Sequence, residues 1–209
     1  KLADAERSSV SHEILLPEVK FGKIRLVTKN GRINVEDSKS SEFESITKNA
    51  SIELAGANCD KISLDTKNAK ITLNYVTADT IDIGTENAFI DMKNIKTSTL
   101  NASTANGKIT ISSIYNIDNE EATSTLKLKT KNGDIKINMN DTESSAYKVK
   151  AQATNGGVNL LIPNLIYSSS GLDKSADKKV EAVTDNYDSN PRRFNIDAET
   201  LNGYVEIVR

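Results

Sequence analysis

The side chains best suited to nucleophilic or metal chemistry occur once each in this 209-residue chain, as His12 and Cys59. A thiol or hydroxyl nucleophile needs a base in hydrogen-bonding reach, and no base is evident near Cys59. A structural zinc needs four N or S ligands, so no metal and no cofactor is expected. A lone cysteine also excludes an internal disulfide framework. Acid-base cleavage of a polysaccharide needs a pair of carboxyl groups at a defined separation, whereas the acids here are scattered among Lys, Thr and Asn. Asp134 and Asp141 flank a turn, yet no oxygen-rich calcium loop surrounds them. No catalytic residue is assigned. Recognition chemistry is richer around residues 163–195, where Tyr167, Tyr187, Arg192 and Arg193 form a candidate binding set beside Pro191 and Phe194.

These side chains need a scaffold, and the sequence supplies one by repetition. Thr-x-Asn-Gly/Ala recurs at Asn30, Asn49, Asn68, Asn87 and Asn106, 19 residues apart, and again at Asn132, Asn155 and Asn202. The copy at Asn155 has Ala153 in place of Thr. Six residues before each Asn stands Ile24, Phe43, Ile62, Ile81, Leu100, Leu126, Val149 or Ile196. Three residues after it stands Ile33, Ile52, Ile71, Ile90, Ile109, Ile135, Val158 or Val205. A further apolar residue follows two positions on, with polar residues between, and this period of two specifies strands. Each copy therefore reads strand, Asn turn, strand.

A 19-residue unit cannot bury its apolar stripe alone, so the copies must stack. The expected fold is all-β: a single-domain, parallel β-helix-like solenoid of about eight coils, with an antiparallel β-sandwich or prism as the alternative. Eight coils at about 4.8 Å make a rod of roughly 40 Å. The turn asparagines would then form an amide ladder along the axis, with the threonines as a second row. Because Ala follows the Asn at 50, 69 and 88, the Asn itself is expected to take the left-handed conformation.

The domain is read as 1–209: an N-terminal cap over 1–23, seven coils over 24–162, an insertion over 163–195 and a last coil over 196–209. Residues 10–17 resemble a half-coil, with Ile14 and Leu16 as its apolar pair, expected to lie over Val27 and Ile46. At the other end, 164–195 is expected to cover Leu161, Tyr204 and Val208. Shorter insertions fall at 113–124 and 139–147, on the same edge as the long one. Cys59 shares its position with Ser40, Ala78 and Thr97 and reads as a small packing residue. Lys29, Lys48 and Lys67 repeat at one corner, where lysine discourages edge pairing.

Lys+Arg 27 against Asp+Glu 29 gives a net charge of −2, without the basic excess of a nucleic-acid binder. No apolar run approaches the ~18 residues of a membrane span. The absence of an initial Met accords with an upstream signal or anchor having been trimmed.

The unit Thr130-Lys131-Asn132-Gly133-Asp134-Ile135-Lys136-Ile137 resembles the bacterial adhesin-type family of DUF4097 β-strand repeat proteins, over roughly residues 14–209. The resemblance implies a β-helical fold, an extracellular or envelope location and, in some members, a part in envelope-stress signalling. It implies no catalytic residues. The expectation is a non-enzymatic surface module whose partner is a cell-wall polymer, glycan or protein. The alternatives are a regulatory sensor of envelope stress that binds a peptide or lipid, and a carbohydrate-active enzyme.

Overall fold

The computed structural model describes residues 14–117, 121–139, 145–168 and 179–209. The N-terminal strands are β1 (Phe21–Val27), β2 (Ile33–Glu36), β3 (Lys39–Thr47), β4 (Ile52–Ala55) and β5 (Asn58–Thr66). The middle of the chain forms β6 (Ile71–Thr85), β7 (Ile90–Thr104), β8 (Ile109–Tyr115), β9 (Ala122–Asn132) and β10 (Ile135–Asn138). Then come β11 (Ala146–Asn155), β12 (Val158–Leu161), β13 (Leu165–Tyr167), β14 (Lys179–Thr184), β15 (Arg192–Asn202) and β16 (Val205–Val208). No helix occurs among the described residues.

The strands stack as coils in parallel register, Ile24 beside Phe43, Phe43 beside Ile62 and Ile62 beside Ile81. Inward aliphatics such as Ile62, Ile71, Ile81, Ile90 and Ile109 are fully buried. The strands preceding each Asn form one face, and those following it form another. The fold is therefore a parallel β-solenoid; the antiparallel alternative is excluded by the register.

The amide ladder is continuous. Asn49 Nδ2 donates to Asn30 Oδ1 at 2.7 Å, and the same bond runs on through Asn68, Asn87, Asn106 and Asn132. The ladder then passes to Asn202 at 2.6 Å and ends at Asn155. The buried threonines form the second row: Thr104 donates to the Ala88 carbonyl, and Thr130 and Thr200 to the carbonyls of Gly107 and Gly133, all within 2.9 Å.

That ladder order exposes a departure from sequence order. The last coil in the chain, β15–β16, lies between coil 6 (β9–β10) and coil 7 (β11–β12): Ile196 sits between Leu126 and Val149, and Ile207 between Ile137 and Leu160. Charge complementarity accompanies the order. Coil 6 presents Lys127, Lys129 and Lys136, and coil 7 presents Lys148 and Lys150. Stacked in sequence, Lys127 would face Lys150, and like charges directly opposite on a sheet are destabilising. The inserted coil places Asp197 between them, pairs Glu199 with Lys129 at 3.0 Å, and pairs Glu206 with Lys136 at 2.7 Å. Phe194 also stacks on buried Tyr147, with ring centroids 5.8 Å apart.

Three expectations are corrected. The ladder asparagines do not have positive φ. Asp37, Gly56, Tyr75, Asn94 and Ser113 are left-handed, each seven positions beyond its Asn, where the chain bends from the second strand into the next coil, and Asn164 is left-handed nine positions beyond Asn155. There the backbone must reverse its curvature, whereas no ladder Asn has a positive φ. Residues 14–16 form no half-coil: Val19 N–H donates to the Pro17 carbonyl in a tight turn, Leu15 is 87% exposed and Val27 57%. The rest of that cap, residues 10–13, lies outside the described residues. At the far end, β14 pairs antiparallel with β11, and β13 with β14. The strands of the insertion thus continue the sheet beyond β11 and leave Leu161 52% and Tyr204 65% exposed.

Candidate functional site

Outward side chains of neighbouring coils stand about 4.8 Å apart in straight columns, so the site can be built column by column. On the face preceding the Asn turns, one column runs Asp65, Gly84, Ser103, Lys129, Glu199. Its neighbour runs Ser63, Asp82, Asn101, Lys127, Asp197. Small residues at 84 and 103 leave a trough between the larger ones, an open groove of about 520 Å³ that these two columns line. Its floor is backbone above the buried Leu64, Ile83, Ala102 and Leu128.

The groove is electrostatically divided along the rod. Asp65 and Asp82 mark one end. Asp82 Oδ1 accepts from Asn101 Nδ2 at 2.8 Å, and Lys61 Nζ lies 4.0 Å from its other oxygen. Asp65 leans over Gly84, where an added Cβ would come within 3.1 Å of its Oδ2. Partial burial, and secondarily the charge of Glu86, raise the Asp65 pKa above 3.8. Lysines 127 and 129 stand next along the rod, and Asp197 and Glu199 close the far end. Two of the ten groove-lining outward residues, Asp197 and Glu199, therefore come from the inserted coil.

The residues singled out by sequence are dispersed. Tyr167 lies on the outermost strand, β13, and is 43% exposed. Tyr187 occupies the turn before β15, where its hydroxyl donates to Asn195 Oδ1. Burial raises its pKa, against the opposing effects of the Arg193 charge and that hydrogen bond. Arg193 reaches Thr123 Oγ1 at 3.1 Å and Glu121 at 3.7 Å, tying the long insertion to the start of β9. The Arg192 backbone N–H donates to Asn190 Oδ1. Arg193 and Tyr187 are brought near each other, whereas Tyr167 lies beyond β14. Signals for the groove were present in the sequence, in the small residues at 84 and 103 beside Asp65 and Lys129, but column order depends on the inserted coil.

Cys59 is 4% exposed, with its Sγ 3.4 Å from Ser40 Oγ in the column shared with Ala78 and Thr97. It is a packing residue, as its position implied. Asp134 Oδ1 accepts the Tyr204 backbone N–H at 2.9 Å. His12 and Asp141 lie outside the described residues, as do 118–120, 140–144 and 169–178 of the three insertions. Ser112, Asn138, Val208 and Leu161 lie at one level in the stacked second strands. Among the described residues no three His, Cys, Asp or Glu side chains gather as a metal site, and no helix is long and apolar enough to cross a membrane.

No curated protein and no solved structure matches the chain. The family model described as Toastrack DUF4097 matches residues 6–190, which is most of the chain and takes in coils 1 to 7. Repeat, register and family model agree, and the chain belongs to the DUF4097 Toastrack family.

Proposed function

We propose that the protein is a non-enzymatic, adhesive interaction module of the cell envelope that holds an extended polar polymer, a glycan or cell-wall strand, along the groove. The observation that carries this reading is the groove itself. It is long, open and lined by hydroxyl, amide and charged groups on a rigid sheet, an arrangement suited to chain-like ligands and poor at enclosing a small substrate. Asp65 and Lys127, unpaired among the described residues, are free to take ligand amino and acidic groups. Location outside the cytoplasm follows from the same reading.

The test is retention of soluble cell-wall fragments and glycans by the intact chain, compared with Ser103→Arg, which fills the trough, and Lys127→Glu. Each substitution is expected to weaken binding about tenfold or more, equivalent to about 1.4 kcal/mol. Equal binding by all three proteins, or none by the unaltered chain, would remove the groove from the proposal.

A further inference from the structure

Among the described strands, the body of the rod, coils 1 to 6, pairs with coil 7 and its antiparallel strands only through the inserted coil. β9 pairs with β7 and β15, β10 with β8 and β16, β11 with β15 and β14, and β12 with β16. Among the described residues no strand of coil 6 pairs with a strand of coil 7. Coil 8 therefore fills a slot with two parallel edges, walled by lysines on both sides and apolar within. Phe194, Ile196, Ala198, Val205 and Ile207 enter it and become buried.

We propose that this slot is a strand-acceptor site and that, in a dimer, it is filled reciprocally by residues 192–208 of a second copy of this chain. Three observations favour that occupant. Its acids answer the slot's lysines, with Lys129–Glu199 at 3.0 Å and Lys136–Glu206 at 2.7 Å, a pattern an unrelated strand would lack. Without an insert the slot cannot close well, because Lys127 would meet Lys150 and Tyr147 would lose its Phe194 partner. The tether is a turn, Asp185–Pro191, held by local bonds such as Tyr187 N–H to the Thr184 carbonyl and Asn190 N–H to the Asn186 carbonyl. Straightened, these seven residues span about 23 Å, enough to redirect the coil. Exchange of an identical element is a low-cost route to dimers. Each groove would then receive Asp197 and Glu199 from the other copy.

Thr125 and Asn195 are direct neighbours across β9 and β15, so Thr125→Cys with Asn195→Cys reports which copy supplied the coil. Cys59→Ala removes the native thiol, Ala being the residue at the equivalent place in the next coil, Ala78. The reduced protein is warmed at a series of concentrations, cooled and oxidised. Interchain disulfides are expected, with the dimer-to-monomer ratio rising about tenfold per tenfold concentration by mass action. A control pair in the body, Thr80→Cys with Thr99→Cys, whose residues are likewise neighbours, is expected to bridge only within one chain. Monomeric bridges alone at every concentration, or equal dimer from the control pair, would overturn the proposal. Should the variants fail to fold, isotopically heavy and light copies of the unaltered chain, mixed and examined by native mass spectrometry, must give mixed dimers. Homodimers alone or monomers alone would refute exchange. Neither readout involves a groove ligand, so failure here leaves the adhesive reading standing, and the reverse holds.

Discussion

At the scale of single residues, the turn asparagines matter because each amide is both donor and acceptor, and the ladder uses both in every interior coil. Asn87 donates to Asn68 at 2.8 Å and accepts from Asn106 at 2.9 Å. Asn87→Ala removes two bonds and strands one group on each neighbour. A loss of about 1–2 kcal/mol is expected, since a net hydrogen bond is worth about 1 kcal/mol and exposed groups regain water; denaturant titration measures it. Asp65 carries a different effect. Its pKa is raised on folding by burial and then by Glu86, so the folded protein binds this proton more tightly than the unfolded chain. Its contribution is therefore full below 3.8 and lost as pH rises through the raised value. Asp65→Asn is expected to raise the melting temperature at neutral pH and to flatten its fall above pH 3.8. A parallel pair of pH–Tm curves would contradict the assignment.

At the scale of the element, coils alternate two corners of unlike demands. The Asn corner is held by side-chain bonds. The opposite corner is held by backbone conformation, and its occupants differ greatly in how well they suit it. Gly56 sits there at φ 64 without strain, whereas Tyr75 adopts φ 54, a conformation that costs a residue with a Cβ about 1–2 kcal/mol. Tyr75 is 66% exposed, so little packing is lost on truncation. Tyr75→Gly is expected to stabilise the protein by up to about 1 kcal/mol, and Gly56→Ala to destabilise it by about as much or more, because its Cβ would fall 2.1 Å from Asp37 Oδ1. Chemical denaturation of the two variants should give opposite signs.

At the scale of the molecule, the strands, the ladder and the buried stripe were legible because they recur: Ile62, Ile81 and Leu100 carry the same instruction at the same interval. Coil order was not legible, because coils 7 and 8 share the register that identifies a coil, and register is silent about sequence of stacking. The distinguishing signal was charge, in Lys127 and Lys150 against Asp197, and it acquires meaning only once columns are laid side by side. The left-handed corner was missed for a related reason. Asp, Gly, Tyr, Asn and Ser share no side-chain property, so a requirement placed on the backbone left no common letter. The groove was partly hidden as well, since two of its acids reach it through the inserted coil.

The insertion also decides how the rod bears load. Hydrogen bonds between coils run along the axis, so tension along it peels coils one at a time. Among the described residues, the coil strained by pulling at Phe21 is secured on one side, by β3 and β4. Pulling at Arg209 strains a coil secured on both sides, by β9 and β10 and by β11 and β12. Traction applied between Phe21 and Arg209 is therefore expected to peel coil 1 before the doubly clamped coil, so that the rod would yield as a mechanical fuse from a fixed place.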